Sequence, residues 1–199
     1  MKGEATGEKR PYRMQARAQA AAETERRIFA AARELVAERP FAQVTLDDVA
    51  ARAGVSVQTV IRRYGSKDGL IRAVAQQVRA EVHEQRFEAP VSDIPGAVSN
   101  LVEHYEATGS ETFRLLCQEE QVPVLSEVLD VGRELHREWV TRVFAPWLEP
   151  LSGAERKRRT AQLVAICDLL VWKLLRQDLG LSSRQTELAI REMLVRVLR

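Results

Sequence analysis

Cysteine, proline, glycine and aromatic residues are all scarce in this 199-residue chain. The two cysteines, Cys117 and Cys167, form no C-x-x-C pair, which excludes a disulfide framework and a zinc cluster. Both fall in hydrophobic helical stretches and read as packing residues, in a chain suited to a reducing cytoplasm. The three histidines are too scattered for metal-ligand spacing, so neither metal nor cofactor is expected. No N-terminal apolar stretch resembles a signal peptide. The longest apolar block, 163–175, contains Asp168 and Lys173 and is too short to span a bilayer. Phosphate loops, nucleophile elbows and paired-acid motifs are missing too, which speaks against an enzyme.

What fills the chain instead is Ala, Leu, Glu, Arg and Val, with 45% hydrophobic residues overall. Apart from Val these are good helix formers. Seven prolines and ten glycines interrupt them rarely. No run of period-two alternation is long enough for a sheet, so an all-α fold of about nine helices is expected.

The net charge of +2 hides an asymmetry. Residues 1–86 hold 16 Lys/Arg and 11 Asp/Glu, or +5, and residues 87–199 hold 14 and 17, or −3. A basic head on a neutral-to-acidic body suits a nucleic-acid-binding protein. Residues 1–20, with Lys2, Lys9, Arg10, Arg13 and Arg17, read as a flexible basic arm. Residues 21–66 form the head and 67–199 a helical body, with the two-proline stretch 88–95 as the clearest break.

Within the head, Ile28, Ala31, Ala32, Leu35 and Val36 predict a helix over 24–39, which Pro40 stops. A second helix starts at Thr45, whose hydroxyl pairs with Asp48 in a capping box, and ends at Ala53. Gly54 supplies a left-handed turn, and Ser56 caps a third helix to about Tyr64. Two short helices around a glycine turn are the layout of a helix-turn-helix DNA reader. The third helix would present Val57, Gln58, Thr59, Arg62 and Arg63 to the major groove. Gln pairs with the two-point edge of adenine, Arg with that of guanine, and a Val or Thr methyl meets thymine. Thr45, Ser56, Tyr64 and Lys67 are placed for phosphate, although capping alone explains Thr45 and Ser56, and core packing explains Tyr64.

Beyond a long helix ending near 86, the body predicts helices over 95–108, 111–120, 124–146, 154–179 and 183–198, with Ser152–Glu155 and Ser182–Gln185 as capping boxes. The last two are apolar over broad faces. Leu163, Leu170, Leu174, Leu188, Met193, Leu194 and Val197 are the expected dimer interface, pairing with their copies in an intersubunit four-helix bundle. A palindromic DNA site demands such a two-fold partner.

The pattern T-x-x-x-V-A-x-x-A-G-V-S at 45–56, then Thr59, Tyr64 and G-S-K-D-G-L at 65–70, resembles the DNA-binding domain of the tetracycline-repressor (TetR) family of bacterial regulators. The resemblance covers 24–70. This sequence departs from the pattern at Ile61, where the family usually has an aromatic, and at Gln58, where it often has glycine. The resemblance implies a dimeric, ligand-responsive transcriptional regulator, most often a repressor released from a palindromic operator, working in the cytoplasm on the nucleoid. It also implies a small-molecule pocket in the body, for which His83, Phe87, Tyr105, Phe113, Cys117, His136, Trp139, Asp168 and Trp172 are the candidates. Asp168, inside an apolar run, needs a partner: a cationic ligand, an arginine of the dimer mate, or a nearby hydroxyl. A thiol or oxidant sensor using Cys117 or Cys167 is the competing class. Unchanged DNA binding of the double Cys→Ser variant through an oxidant challenge would dismiss it.

Overall fold

The computed structural model describes the backbone of residues 9–199 and side chains from Met14 onward. The regular structure among these residues is all helical, with no strand. In chain order the helices are α1 (Lys9–Glu38), α2 (Leu46–Ala53), α3 (Val57–Tyr64), α4 (Lys67–Phe87), α5 (Ile94–Leu116), α6 (Pro123–Val143), one-turn α7 (Ala145–Leu148), α8 (Gly153–Ile166), short α9 (Leu169–Lys173) and α10 (Ser183–Leu198). Among the described residues no helix is long and apolar enough to cross a membrane. The chain divides into two compact units that part between Val74 and Ala75, inside α4, later than the sequence boundary at 66.

The head buries Ile28, Phe29, Ala31, Ala32 and Leu35 of α1 with Phe41, Val44, Val49, Ala50, Ala53, Val60, Leu70 and Val74. Small Ala50 and Ala53 sit where α2 meets its neighbours, and Val60 of α3 is completely buried. The helix ends follow local chemistry. Thr45 and Asp48 close their capping box, and Gly54 takes the left-handed conformation (φ 64°, ψ 42°). Arg27 of α1 donates to the carbonyl of Ala53 at 3.0 Å, satisfying an orphan acceptor at the end of α2.

The basic arm is the first departure from the sequence reading. Helix α1 begins at Lys9 rather than near 24, so the stretch 9–20 is helical and not an irregular arm. Its residues from Met14 to Ala20 are exposed and have no apolar stripe, which is why periodicity did not reveal the helix. Lys2 lies outside the described residues, as do the side chains of Lys9, Arg10 and Arg13. Arg17 is exposed.

The body, the second unit, has its own core of Ala97, Val98, Leu101, Val102, Tyr105, Trp139, Val140, Val143, Phe144, Leu163, Trp172, Ile190 and Leu194. Two helices expected over 95–108 and 111–120 are one continuous α5. Gly109-Ser110 is no break. A Cβ on Gly109 would come within 2.6 Å of Trp172 Cζ3, so glycine is there to admit the indole. Gly109→Ala therefore destabilises the protein by about 1–3 kcal/mol through overpacking, read as a lower urea midpoint. An unchanged or higher midpoint would show that Trp172 moves aside freely.

The helix expected over 154–179 is split instead. Helix α8 ends at Ile166, Asp168 caps α9 by accepting from the amide of Leu170 at 2.9 Å, and a π-turn (Leu174–Asp178) follows. Asp168 is half-buried, and its partner is that local amide. Counting one-turn α7, the described residues hold ten α-helices, close to the nine or so expected but divided differently. Ser182 and Gln185 form their expected capping box, whereas Ser152 accepts no capping hydrogen bond.

Candidate DNA interface and body cluster

The surface of α3 divides cleanly. Val60 is buried, and Tyr64 and Val57 are half-buried on the inward side. Gln58, Ile61 and Arg62, spaced i, i+3 and i+4, form one exposed face. Among the described residues, neither Gln58 nor Arg62 has a hydrogen-bond or ion-pair partner. Ile61 stands on the same face with 39% of its surface exposed, unusual for a large aliphatic side chain.

The neighbours of that face are engaged. Ser56 caps α3 and its hydroxyl lies 2.9 Å from that of Thr59. Thr45 is held by Asp48. Arg63 turns back and donates to the carbonyl of Ala21 on α1 at 3.2 Å. Tyr64 stacks near Phe29 (ring centres 5.7 Å apart) and its hydroxyl reaches Glu25 at 3.4 Å. Burial pushes the Tyr64 phenol above its ordinary range. The Tyr64 ring thus packs inward against α1, and its hydroxyl faces the Glu25 carboxylate.

Lys67 has the largest change of role. Its ammonium donates to the carbonyls of Phe41 and Val44, each at 3.0 Å, and lies 4.3 Å from the Phe41 ring centre. Two of its three donors are spent holding the turn before α2, rather than free for phosphate. Lys67→Met should cost about 1–3 kcal/mol of stability by stripping two carbonyls of a charged donor. Urea unfolding checks this, and unchanged stability would return Lys67 to a purely DNA-facing role.

In the body, several candidate pocket residues do converge. The His136 and Trp139 rings stack at 6.3 Å, Tyr105 lies 5.9 Å from Trp172, and His104 lies 5.4 Å from Tyr105. At their centre is a residue that sequence reasoning passed over, Arg86, only 4% exposed. Its guanidinium lies 4.1 Å from the Trp139 ring centre, and Trp139 Nε1 donates to the Arg86 carbonyl at 2.8 Å. The signal was present: Leu70, Val74, Val78 and Val82 form an every-fourth stripe, and Arg86 is its next member.

Other candidates lie elsewhere. His83 is exposed and stacks on Phe87 at 4.0 Å. Phe87 itself is half-buried beside Arg142. Cys117 is exposed at the end of α5, and Phe113 carries Lys173 over its ring. Helical spacing aimed His83 and Cys117 outward, a direction that a mixed apolar stretch does not disclose. Cys167 is buried, and burial pushes its thiol up to about 12, so it stays protonated and unreactive. Of the dimer candidates, Leu163 and Leu194 are wholly buried in the core of their own chain and cannot face a partner. Leu170, Leu174 and Leu188 are about half exposed, together with Leu179. Met193 and Val197 are partly buried against the core.

The buried imidazoles give the body an acid sensitivity. Burial pulls His104 down to about 3 and also lowers His136, with the Arg86 charge adding to both. Both are therefore neutral in the folded protein at pH 7. The unfolded chain takes up protons near 6.5, and the folded one does not. Stability is complete above that pH and falls as pH drops below it, by about 2 kcal/mol at pH 5 for His104 alone. Urea midpoints at pH 7.5 and pH 5 test this. A flat profile would contradict it.

Taken together, the head has the layout of a helix-turn-helix DNA-binding domain, with an exposed, unengaged face on α3. Residues 28–74 match the family model described as bacterial regulatory proteins, tetR family. Over these residues the head is similar to the DNA-binding domain of that family. Solved structures share the fold across most of the chain. A transcriptional regulator from Rhodococcus sp. Rha1 is 21% identical, with a TM-score of 0.68 over 87% of this chain and 95% of the other. Salmonella enterica GusR is 19% identical, with a TM-score of 0.67 over 88% and 95%. A TetR-family regulator from Streptomyces coelicolor A3 is 16% identical, with a TM-score of 0.54 over 99% of both chains. No curated protein matches the chain in sequence.

Proposed function

We propose that this chain is a homodimeric transcriptional repressor that binds a palindromic operator in the bacterial cytoplasm and leaves it when a small molecule binds the body. The observation that carries the reading is the face of Gln58, Ile61 and Arg62, exposed and unengaged while the side chains around it are occupied. A surface helix gains nothing from a partner-free Gln and Arg beside an exposed Ile, whereas the major groove offers each a counterpart. Thr45, Ser56, Val57, Thr59 and Arg63 border this face, and the helix starts that Thr45 and Ser56 cap suit phosphate.

The dimer rests on Leu170, Leu174, Leu179 and Leu188, each 49–63% exposed. A second copy would cover them and set two recognition helices about 34–36 Å apart, one helical turn of DNA. Helix α4 begins in the head and continues into the body, so a ligand that favours one placement of α4 shifts the population between DNA-competent and incompetent states. Footprinting on the DNA flanking its own gene tests the reading. A protected two-fold symmetric stretch is expected, and protection without sequence preference would reduce the protein to a nonspecific binder.

A further inference from the structure

A buried charge needs an opposite charge or a full set of hydrogen bonds. Arg86 has neither. Among the described residues no carboxylate pairs with it, and its Nε is buried without a partner. Its Nη2 meets Nδ1 of His136 at 3.5 Å, and its guanidinium lies 5.8 Å from the Tyr105 ring centre as well as over Trp139. His136 Nε2 sits 3.1 Å from the carbonyl of Val164, which assigns the proton to Nε2 and leaves the Nδ1 lone pair toward Arg86. None of these neighbours supplies an anion. Burial keeps the Tyr105 phenol and the Cys167 thiol protonated, and the Tyr105 hydroxyl donates to the Cys167 carbonyl at 3.0 Å. His104 and His136 are neutral. Burial likewise works against the charge of Arg86 itself.

We propose that Arg86 anchors the effector, and that the effector is a singly charged carboxylate with an apolar body. The proposal deepens the effector reading above and rests on it. The vacant Nε–H and the adjacent Nη–H form the two-donor edge that fits carboxylate oxygens side by side. One guanidinium among neutral imidazoles balances one negative charge, which disfavours a phosphate dianion. The Trp139 and Tyr105 rings supply an apolar wall for the rest of the molecule. A separate open groove of about 620 Å³, which Arg86, Tyr105, His136 and Trp139 do not line, is formed by Arg137, Arg156, Lys157 and Thr160 with Ala161 and Val164, with no acidic lining residue. Val164 is the residue whose carbonyl meets His136, so one imidazole links this cationic mouth to Arg86. Clefts of one charge sign concentrate ligands of the other.

The test uses the full chain with octanoate and phenylacetate as probes, against octanamide and phenylacetamide. Thermal stability and tryptophan fluorescence are followed without DNA. The carboxylates should raise the melting temperature beyond an equal concentration of chloride, and the amides should not. Arg86→Met should remain folded, since it removes an uncompensated charge, yet lose carboxylate affinity by about tenfold or more. Arg86→Lys, which keeps the charge, should retain part of the response and serves if the Met variant does not fold. No carboxylate response in the wild type overturns the proposal, as does equal response to acids and amides or full response in both variants. Operator release is measured separately. Release by amides alone would overturn the anion assignment and leave ligand control standing. Carboxylate binding at Arg86 that leaves operator affinity unchanged would keep the anion site and sink the effector reading.

Discussion

Replacing Gln58 and Arg62 together by Ala should cost about 2–6 kcal/mol of binding to the operator while leaving nonspecific DNA binding almost intact. The figure is two bidentate base contacts at about 1–3 kcal/mol each. Both side chains stand on the exposed face of α3 with no partner among the described residues, so removing them takes nothing from the fold. That makes the experiment clean: the urea midpoint should not move. The lost energy is sequence-dependent, so the salt dependence of binding should keep its slope, which counts phosphates rather than bases. Gel-shift titrations on operator and on scrambled duplex, each at several salt concentrations, measure both quantities. Equal losses on the two duplexes would place Gln58 and Arg62 on the phosphates. Ile61 between them adds a gentler effect. Ile61→Ala should relax preference for thymine at one position, since an aliphatic side chain there can meet only a methyl group.

Leu170→Glu combined with Leu188→Glu should abolish the dimer and with it high-affinity operator binding. Both leucines are about half exposed on the final helices, so the charges can stay in water in a monomer but not beneath a second copy. Linked half-sites gain on the order of 10² to 10⁴ in avidity over single ones, and that factor is what the variant forfeits. Analytical ultracentrifugation should show a folded monomer, and the operator titration should weaken by that factor. A variant that remains dimeric would move the interface off this face. Leu163 and Leu194 are unsuited to the same test, because they are wholly buried in the core of their own chain and their loss unfolds the body.

What the sequence disclosed and what it concealed divides by the distance over which each role is set. Thr45 with Asp48, Ser182 with Gln185, and Gly54 were legible because a cap or a turn is decided within three or four residues. On α3 the exposure of Gln58 and Arg62 was legible for the same reason, whereas Ile61 was not read as part of their face, and Arg63, read beside them, turns back to the Ala21 carbonyl. Arg86, Lys67 and Gly109 were not legible. Each is explained by a neighbour far along the chain: Arg86 by Trp139, Lys67 by the carbonyls of Phe41 and Val44, and Gly109 by Trp172. Residue type misled where a long-range partner reversed its usual meaning, as when a lysine near the DNA face became a clasp inside the head. The break at Asp168 was hidden differently. The stretch 163–175 is apolar nearly all round, and a pattern without a polar face has no phase in which a break can show. The helical start of α1 was hidden by the opposite lack, a segment with no apolar face.

The central claim is that α3 reads sequence through Gln58, Ile61 and Arg62. Selection of bound duplexes from a random-sequence pool, with the wild type and the Gln58→Ala, Arg62→Ala double variant side by side, tests it most directly. The wild type should enrich a two-fold symmetric site with half-site centres about 10 base pairs apart, or a multiple of that spacing. The double variant should enrich nothing at the inner positions of each half-site. Recovery of the same motif by both proteins, or of none by the wild type, would contradict it.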